Sequence, residues 1–154
     1  MLNELLNRYP QLTVCTDELK KVVAVLVDCY QNGGKLLLCG NGGSCSDSDH
    51  IAGEFLKGFL LKRPVDAALK SAMAEKYGQY GGEIAEKLQM GLPTISLNTH
   101  SAAISAFCND VDPALIYAQL VLTLGRGEDV LFCISTSGNS KNVVQAAKAA
   151  KALG

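Results

Sequence analysis

The ten residues 35–44, KLLLCGNGGS, decide the fold of this chain. Residues 35–39 form an almost wholly apolar run of strand length, which is typical of a strand buried on both faces, as in a parallel sheet. Glycine-rich residues 40–43 end the strand, and the pattern then predicts a helix over 44–57. The same unit recurs near the end of the chain, where an apolar segment at 129–134 precedes STSGNS at 135–140 and an alanine-rich helix.

The remaining segments complete an alternating order of helices and strands. Apolar positions at steps of three and four predict a helix over 16–32, with Thr16 as its N-cap and Gly33-Gly34 at its end. Further predicted elements are a short helix at 2–9, a strand at 92–97, and helices at 101–108, 113–124 and 140–153. This order predicts an α/β fold over 1–154, a three-layer αβα sandwich with a parallel sheet. The two strand-to-helix junctions should then lie together at the carboxyl edge of the sheet, where ligands bind.

Two regions depart from this order. Residues 60–91 carry two charged helical patches, 66–77 and 83–90, interrupted by glycines, and we expect an excursion at the sheet edge or a lid-like insert over a site. The chain also ends on a helix that should feed another strand, so only three strands are predicted. We therefore expect a sheet that lacks its C-terminal strands, because either the native protein is longer or a partner covers the open edge.

Composition and charge limit the function classes. The chain has 154 residues, 48% of them apolar, and its net charge of −1 offers no basic surplus for binding nucleic acid. No apolar run is long enough to span a bilayer, and the N-terminus lacks the layout of a secretory signal. Six cysteines are spread through apolar segments without a C-x-x-C pair, which favours free core thiols in a reducing, cytoplasmic setting over disulfides.

The STSGNS segment at 135–140 is the strongest candidate site. It places five hydroxyl- or amide-bearing residues and a glycine between a buried strand and a helix start. Unpaired backbone N–H groups and the helix dipole attract anions at such a start, and hydroxyls add donors. The alternative is an ordinary turn with a helix cap, but a cap needs one such residue rather than five. The segment therefore predicts a phosphate site.

The GNGGS segment at 40–44 supplies the second candidate loop. It lacks the Gly-Lys-Ser/Thr ending of a P-loop and is not a G-x-G-x-x-G motif, so it gives no support to a nucleotide cofactor. Its glycines permit positive φ angles and a close approach of the backbone to a ligand. A plain turn remains the alternative for this segment alone, and the phosphate loop at the same sheet edge favours a binding role.

Ionisable side chains on the following helix are candidates for chemistry. Asp47, His50 and Glu54 fall on one helix face beside an apolar stripe. A carboxylate there is a candidate general base, and His50 with Glu54 could share a divalent metal, although two ligands do not complete a zinc site. The alternative is a solvated helix face. Weaker candidates have ordinary structural explanations: Asn109 and Asp110 in a turn and helix cap, His100 at a strand end, and Lys57, Lys62 and Arg63 as solvated cations.

The pair CGNGGS at 39–44 and STSGNS at 135–140 resembles the sugar isomerase (SIS) family of phosphosugar-binding domains, and within it the phosphoheptose isomerases. The resemblance covers the chain from about the helix at 16–32 onward, interrupted by 60–91. It implies a flavodoxin-like, doubly wound sheet and a homodimer or homotetramer with sites between subunits. It also implies an isomerase that interconverts sedoheptulose 7-phosphate and glycero-manno-heptose 7-phosphate.

The resemblance also implies roles for individual residues. The implied phosphate ligands are Ser44, Ser135, Thr136, Ser137 and Ser140, and the implied sugar-lining residues are Asn41, Gly42, Gly43, Asn109 and Asp110. Glu54 is the implied base that moves a proton between C1 and C2 through an enediol, and His50 with Glu54 matches two zinc ligands of some members. The family's partner acid, a histidine, and a metal-binding glutamine lie past the fourth strand of the fold, so neither role is assigned here. His100 stands where relatives often carry aspartate.

Two functions remain open from the sequence. The first is the phosphosugar isomerase, favoured by the phosphate loop together with Glu54. The alternative is a non-catalytic phosphosugar-binding or protein-interaction SIS module, of the regulator or replication-initiator-associating type. The insert at 60–91 and the unassigned histidine favour this alternative. Neither function calls for a membrane or for direct contact with nucleic acid.

Overall fold

The computed structural model describes all residues, 1–154. Its helices are α1 (Leu2–Arg8), α2 (Thr16–Gln31), α3 (Gly43–Leu56), α4 (Ala67–Lys87), α5 (Ser101–Asp110), α6 (Ile116–Leu124) and α7 (Lys141–Leu153). Its strands are β1 (Leu36–Gly40), β2 (Thr94–Ser96) and β3 (Val130–Ile134), and short 3₁₀ helices occupy Pro10–Cys15, Leu97–Thr99 and Pro113–Leu115. None of the helices combines the length and apolar composition that crossing a membrane requires.

The sheet consists of three parallel strands in the order β2-β1-β3. The central strand β1 pairs Leu36 with Thr94 of β2 and with Val130 of β3. All five residues of β1 are buried. This burial on both faces is what the unbroken apolar run predicts.

Helices cover both faces of the sheet, which confirms the three-layer αβα prediction. Side chains alternate along β1, so Leu37 and Cys39 enter a core shared with α6 and α7, while Leu36 and Leu38 enter a second core with α2 and α3. The chain passes from β1 to β2 on one side and returns past β1 to reach β3. As in flavodoxin-like sheets, this reversal places the topological switch point between the carboxyl ends of β1 and β3.

Several element boundaries differ from the predictions by one to three residues, and two of these differences have a clear physical cause. Thr16 is the first residue of α2 rather than its N-cap, because its hydroxyl donates to the Thr13 carbonyl at 2.8 Å instead of accepting from the helix. The second strand is confined to Thr94–Ser96, since the chain turns into a 3₁₀ helix at Leu97–Thr99. The short strand brings the polar residues after it close to the sheet edge.

The predicted insert folds as a helical hairpin, and its second arm ends at Lys87, three residues before the end of the predicted patch 83–90. Helix α4 breaks at Gly78, where φ is +62° and ψ is −149°, a conformation that suits glycine alone. Lys70 Nζ lies 2.8 Å from Glu86 Oε1, although a straight helix would separate residues 16 positions apart by about 24 Å, so the arms are antiparallel. An antiparallel bridge between Pro64 and Gln89 closes the base of the hairpin.

Candidate functional site

The two predicted loops meet at the switch point of the sheet. Gly40 of β1 is paired with Ile134 of β3, so the loops that leave the carboxyl ends of these strands start side by side. Asn41 in the first loop and Asn142 in the first turn of α7 exchange two side-chain amide hydrogen bonds, each of 2.9 Å. The prediction that the two junctions lie together is therefore confirmed.

Glycine shapes the loop between β1 and α3. A Cβ atom at Gly40 would lie 2.6 Å from the carbonyl oxygen of Ser44, so glycine is needed where the strand end passes the helix. Gly42 has φ +57° and ψ −121°, which residues with a side chain rarely adopt. Gly42 and Gly43 are exposed, and a Cβ at either position would meet nothing within 4 Å. The backbone here is open to close approach by a ligand, while Ser44 is buried in the first turn of α3.

The loop between β3 and α7 gathers three serine hydroxyls. Ser135 Oγ lies 3.1 Å from Ser140 Oγ and 3.4 Å from Ser137 Oγ. Ser140 occupies the N-cap position of α7 but makes no side-chain hydrogen bond to the helix, so its hydroxyl remains available to a ligand. Thr136 is exposed beside them, and Gly138 turns the loop with φ +67°. Hydroxyls that cluster without capping the helix favour the anion site over the ordinary turn.

Helix dipoles add to the attraction for an anion. Both α3 and α7 begin at this edge of the sheet, directly after the two loops. The N-terminus of an α-helix carries a partial positive charge, and its first N–H groups lack helical acceptors. Two helix starts and a cluster of hydroxyls therefore suit a phosphate group without a dedicated cation.

Glu54 lies near the C-terminal end of α3 with an unsatisfied acceptor. Its Oε2 atom is buried and has no hydrogen-bond partner, while 32% of the side chain is exposed. A buried carboxylate oxygen without a donor is costly unless a ligand supplies one. Asp47 on the same helix is exposed to solvent. Of these two carboxylates, only Glu54 has a buried, free acceptor, but it lies ten residues along α3 from Ser44, about 15 Å, and no hydrogen bond joins it to the two loops.

His50 and Glu54 provide only part of a metal site. His50 Nε2 lies 3.7 Å from Glu54 Oε1, and the histidine side chain is 80% exposed. The chain contains no group of three or more His, Cys, Asp or Glu side chains arranged to hold one ion. Because zinc takes at least three protein ligands, the residues of this chain do not complete a zinc site. Zinc binding stays a prediction.

The other polar candidates lie on α5 and at its start. Asn109 and Asp110 are the exposed last residues of α5, and Asn109 Nδ2 donates to Asp110 Oδ1 at 2.8 Å. The predicted turn and cap begin after them, because the helix continues through both and the Asp112 carboxylate accepts from the N–H of Ala114. No hydrogen bond joins Asn109 or Asp110 to the two loops. His100 precedes α5, and its Nε2 is buried without a partner.

Arg63 is not the solvated cation that the sequence suggests. Its Nη2 donates to the carbonyl of Phe55 at 2.6 Å and its Nε donates to the carbonyl of Met90 at 2.9 Å. The guanidinium therefore anchors the end of α3 to the base of the hairpin. Lys57 and Lys62 are exposed, as expected.

Two residues at the sheet edge were not predicted from the sequence. Asn142 pairs with Asn41, and its position two residues after STSGNS is the only signal for it. Tyr117 of α6 is buried, and its hydroxyl donates to the Gly40 carbonyl at 2.7 Å and lies 2.7 Å from Asn98 Oδ1. Burial raises the pKa of Tyr117 to about 12, so the phenol stays protonated at neutral pH. Nothing in the sequence distinguishes Tyr117 from an apolar core residue.

All six cysteines are free, as predicted. The Cys39 thiol donates to Cys133 Sγ at 3.7 Å across β1 and β3, next to the loops. This hydrogen bond, together with burial, raises the pKa of Cys39 above its ordinary value. The same hydrogen bond lowers the pKa of Cys133. The two thiols pack as small core side chains beneath the site.

Comparison with known proteins shows the family to which the chain belongs. Residues 3–76 and 70–154 match the SIS domain family. The chain belongs to the SIS domain family. This SIS domain is 37% identical over 136 residues to a phosphoheptose isomerase of Desulfovibrio desulfuricans and 40% identical over 136 residues to one of Helicobacter pylori strain P12. Each alignment covers 88% of the chain, but only 52% and 57% of these relatives, so the chain spans about half of their length.

Solved structures agree with this family. The SIS domain superposes on the phosphoheptose isomerase GmhA of Neisseria gonorrhoeae with a TM-score of 0.60 and 29% identity, covering 98% of the chain and 70% of that structure. A phosphoheptose isomerase of Francisella tularensis gives a TM-score of 0.68 and 26% identity, covering 99% of the chain and 70% of that structure. The resemblance to SIS proteins and to phosphoheptose isomerases within them is confirmed.

Proposed function

We propose that this SIS domain carries the phosphosugar site of an aldose–ketose isomerase that interconverts sedoheptulose 7-phosphate and glycero-manno-heptose 7-phosphate. The observation that carries the proposal is the meeting of the two loops at the switch point, pinned together by Asn41 and Asn142. Relatives named phosphoheptose isomerase give the substrate class.

The phosphate is assigned to the hydroxyl-rich loop. Ser137 and Ser140 present hydroxyls within 3.4 Å of that of Ser135, Thr136 is exposed beside them, and Ser44 lies in the first turn of α3. Neutral donors and two helix N-termini can bind a phosphate dianion without forming a fixed ion pair. The sugar is assigned to the open backbone of Asn41, Gly42 and Gly43, with Asn109 and Asp110 as further lining residues.

Glu54 is assigned the proton transfer. As a carboxylate it takes the proton from C1 of the ketose, which gives an enediol, and then delivers a proton to C2, which gives the aldose. The accompanying proton shift between the two sugar oxygens needs a second group, and no residue of this chain is assigned that role. The free, buried Oε2 atom supports Glu54 as the base. No step is assigned to a metal, because this chain does not complete a zinc site.

The proposal also covers the oligomeric state and the cellular location of the protein. Valines at 22, 23, 25 and 27 lie around much of the circumference of α2 and are between 42% and 61% exposed, and these apolar side chains support a homodimer or homotetramer. Six free thiols support a reducing, cytoplasmic location. A zinc ion, if bound, would need further ligands besides His50 and Glu54.

The test follows the aldose product by NMR after incubation of the protein with sedoheptulose 7-phosphate in D₂O. We expect turnover, with solvent deuterium at C2 of the aldose, since the base exchanges its proton with solvent. Glu54→Gln should lower kcat by about 10²- to 10⁴-fold while leaving sugar-phosphate binding intact. Glu75→Gln, at an exposed glutamate of the hairpin, is the matched control.

Two results would overturn parts of the proposal. Turnover that survives Glu54→Gln removes Glu54 from the role of base. Binding of the sugar phosphate without any turnover by the wild-type protein supports the non-catalytic SIS module instead, and no binding at all excludes both functions.

A further inference from the structure

A series of hydrogen bonds links Asp49, Ser96 and Asn98 to Tyr117. Asp49 Oδ1 on α3 accepts from Ser96 Oγ at 2.5 Å, and Asn98 Nδ2 donates to the same Ser96 oxygen at 3.1 Å. Asn98 Oδ1 lies 2.7 Å from the Tyr117 hydroxyl. These hydrogen bonds thus join α3, the end of β2 and α6 at the carboxyl edge of the sheet.

Each hydrogen bond in this series can have only one direction from donor to acceptor. Asp49 Oδ1 accepts the single proton of Ser96, so the Ser96 oxygen must accept from the Asn98 amide. Asn98 is left with its carbonyl oxygen toward Tyr117. The phenol proton is therefore directed to Asn98 Oδ1 and shared with the Gly40 carbonyl, both at 2.7 Å.

Tyr117 reaches the candidate site through two contacts. Gly40 is the last residue of β1, and its carbonyl is held directly by the phenol. The next residue, Asn41, lies with Oδ1 3.3 Å from the same hydroxyl and is in turn paired with Asn142 of α7. Tyr117 is 4% exposed and packs in the core that also holds residues of β1 and α7, so its hydroxyl has little freedom to move.

We propose that Tyr117 is a positioning residue whose hydroxyl, oriented by Asp49, Ser96 and Asn98, sets the β1–α3 loop against the phosphate loop for sugar-phosphate binding. The proposal rests on the proposed function for its ligand. The contacts of the Tyr117 hydroxyl with the Gly40 carbonyl and Asn41 Oδ1 do not depend on the ligand. Tyr117 touches no reacting atom and acts through the loop.

The experiment compares Tyr117→Phe with Tyr30→Phe in the full chain. Both substitutions keep the ring and remove a hydroxyl; that of Tyr30 bonds only Thr94 Oγ1, at 3.0 Å, on the other face of the sheet. Tyr117→Phe should lower Tm more than Tyr30→Phe, because it leaves the Gly40 carbonyl and Asn98 Oδ1 without the phenol donor. Calorimetric titration with sedoheptulose 7-phosphate should show about tenfold weaker binding for Tyr117→Phe and unchanged binding for Tyr30→Phe.

Hydrogen exchange without ligand separates this inference from the proposed function. In Tyr117→Phe, exchange at the Ser44 and Cys45 amides, which bond to the Asn41 and Gly42 carbonyls, should be faster than in Tyr30→Phe. Unchanged loop exchange and unchanged affinity would refute the positioning role. If the wild-type protein binds no sugar phosphate, the proposed function fails and the exchange result still decides the positioning role. Asn98→Ala replaces Tyr117→Phe if the latter does not fold, and the same two readouts apply.

Discussion

Removing the Ser135 hydroxyl should weaken sugar-phosphate binding strongly with little effect on folding. Ser135 Oγ is the centre of the hydroxyl cluster, 3.1 Å from Ser140 Oγ and 3.4 Å from Ser137 Oγ. A hydrogen bond to a charged group contributes about 1.5–3 kcal/mol, which corresponds to about 10- to 150-fold in Kd. Ser135→Ala should therefore raise the Kd for sedoheptulose 7-phosphate by that factor in a calorimetric titration.

The stability of this variant should barely change. The partners of Ser135 Oγ are hydroxyls in an exposed loop, which water can satisfy when Ser135 is truncated. Ser71→Ala, at an exposed serine on the hairpin, is the matched control and should leave both Kd and Tm unchanged. An unchanged Kd in Ser135→Ala, with wild-type binding intact, would refute the assignment of this hydroxyl to the phosphate.

Two further predictions concern pH and backbone conformation. Burial alone would raise the pKa of Asp129, but the Lys35 ammonium, 2.5 Å away, and backbone N–H groups lower this pKa below its ordinary value. The ionised Asp129 therefore stabilises the fold above the ordinary aspartate pKa of about 4. This stabilisation is lost as the pH falls through the pKa of Asp129 in the folded protein. Urea unfolding between about pH 5 and pH 2 should therefore show a smaller acid loss of stability in Asp129→Asn than in the wild type, and parallel curves would contradict this. Gly42→Ala should lower the free energy of unfolding by about 1–3 kcal/mol because φ is +57° at this position, although no atom lies within 4 Å of the added Cβ. A decrease of less than about 0.5 kcal/mol in urea unfolding would show that the loop adopts another conformation without strain.

Local patterns in the sequence predict much of the fold. The unbroken apolar run at 36–39 requires burial on both faces, and β1 is the central strand of the sheet. The two glycine- and serine-rich segments are predicted to share one sheet edge because carboxyl ends of parallel strands meet there, and they do. These features follow from residues that are neighbours in sequence.

Features that depend on distant partners could not be predicted in this way. The Tyr117 hydroxyl finds Gly40 and Asn41, 77 and 76 positions away, and Asn142 finds Asn41 from 101 positions away. The sequence pattern around Tyr117 is that of a core helix, so its polar role becomes visible only when β1 lies beside α6. The error at Thr16 has a local cause, since a hydroxyl can bond backward to the preceding turn as readily as forward to the helix.

The hairpin is an intermediate case. Its charged helical arms are visible in the sequence, and Gly78 interrupts them, but the sequence does not show that the arms fold back on each other. The Lys70–Glu86 contact reveals the antiparallel packing. The position of Arg63 against two backbone carbonyls, rather than in solvent, also depends on this closure.

An amide NMR titration of the full chain with sedoheptulose 7-phosphate tests whether the two loops form one phosphosugar site. We expect the shift changes to concentrate in residues 41–45 and 135–142, the two loops joined by Asn41 and Asn142. Shift changes confined to residues 22–27 of α2, or no changes at saturating ligand, would contradict a single phosphosugar site formed by these loops.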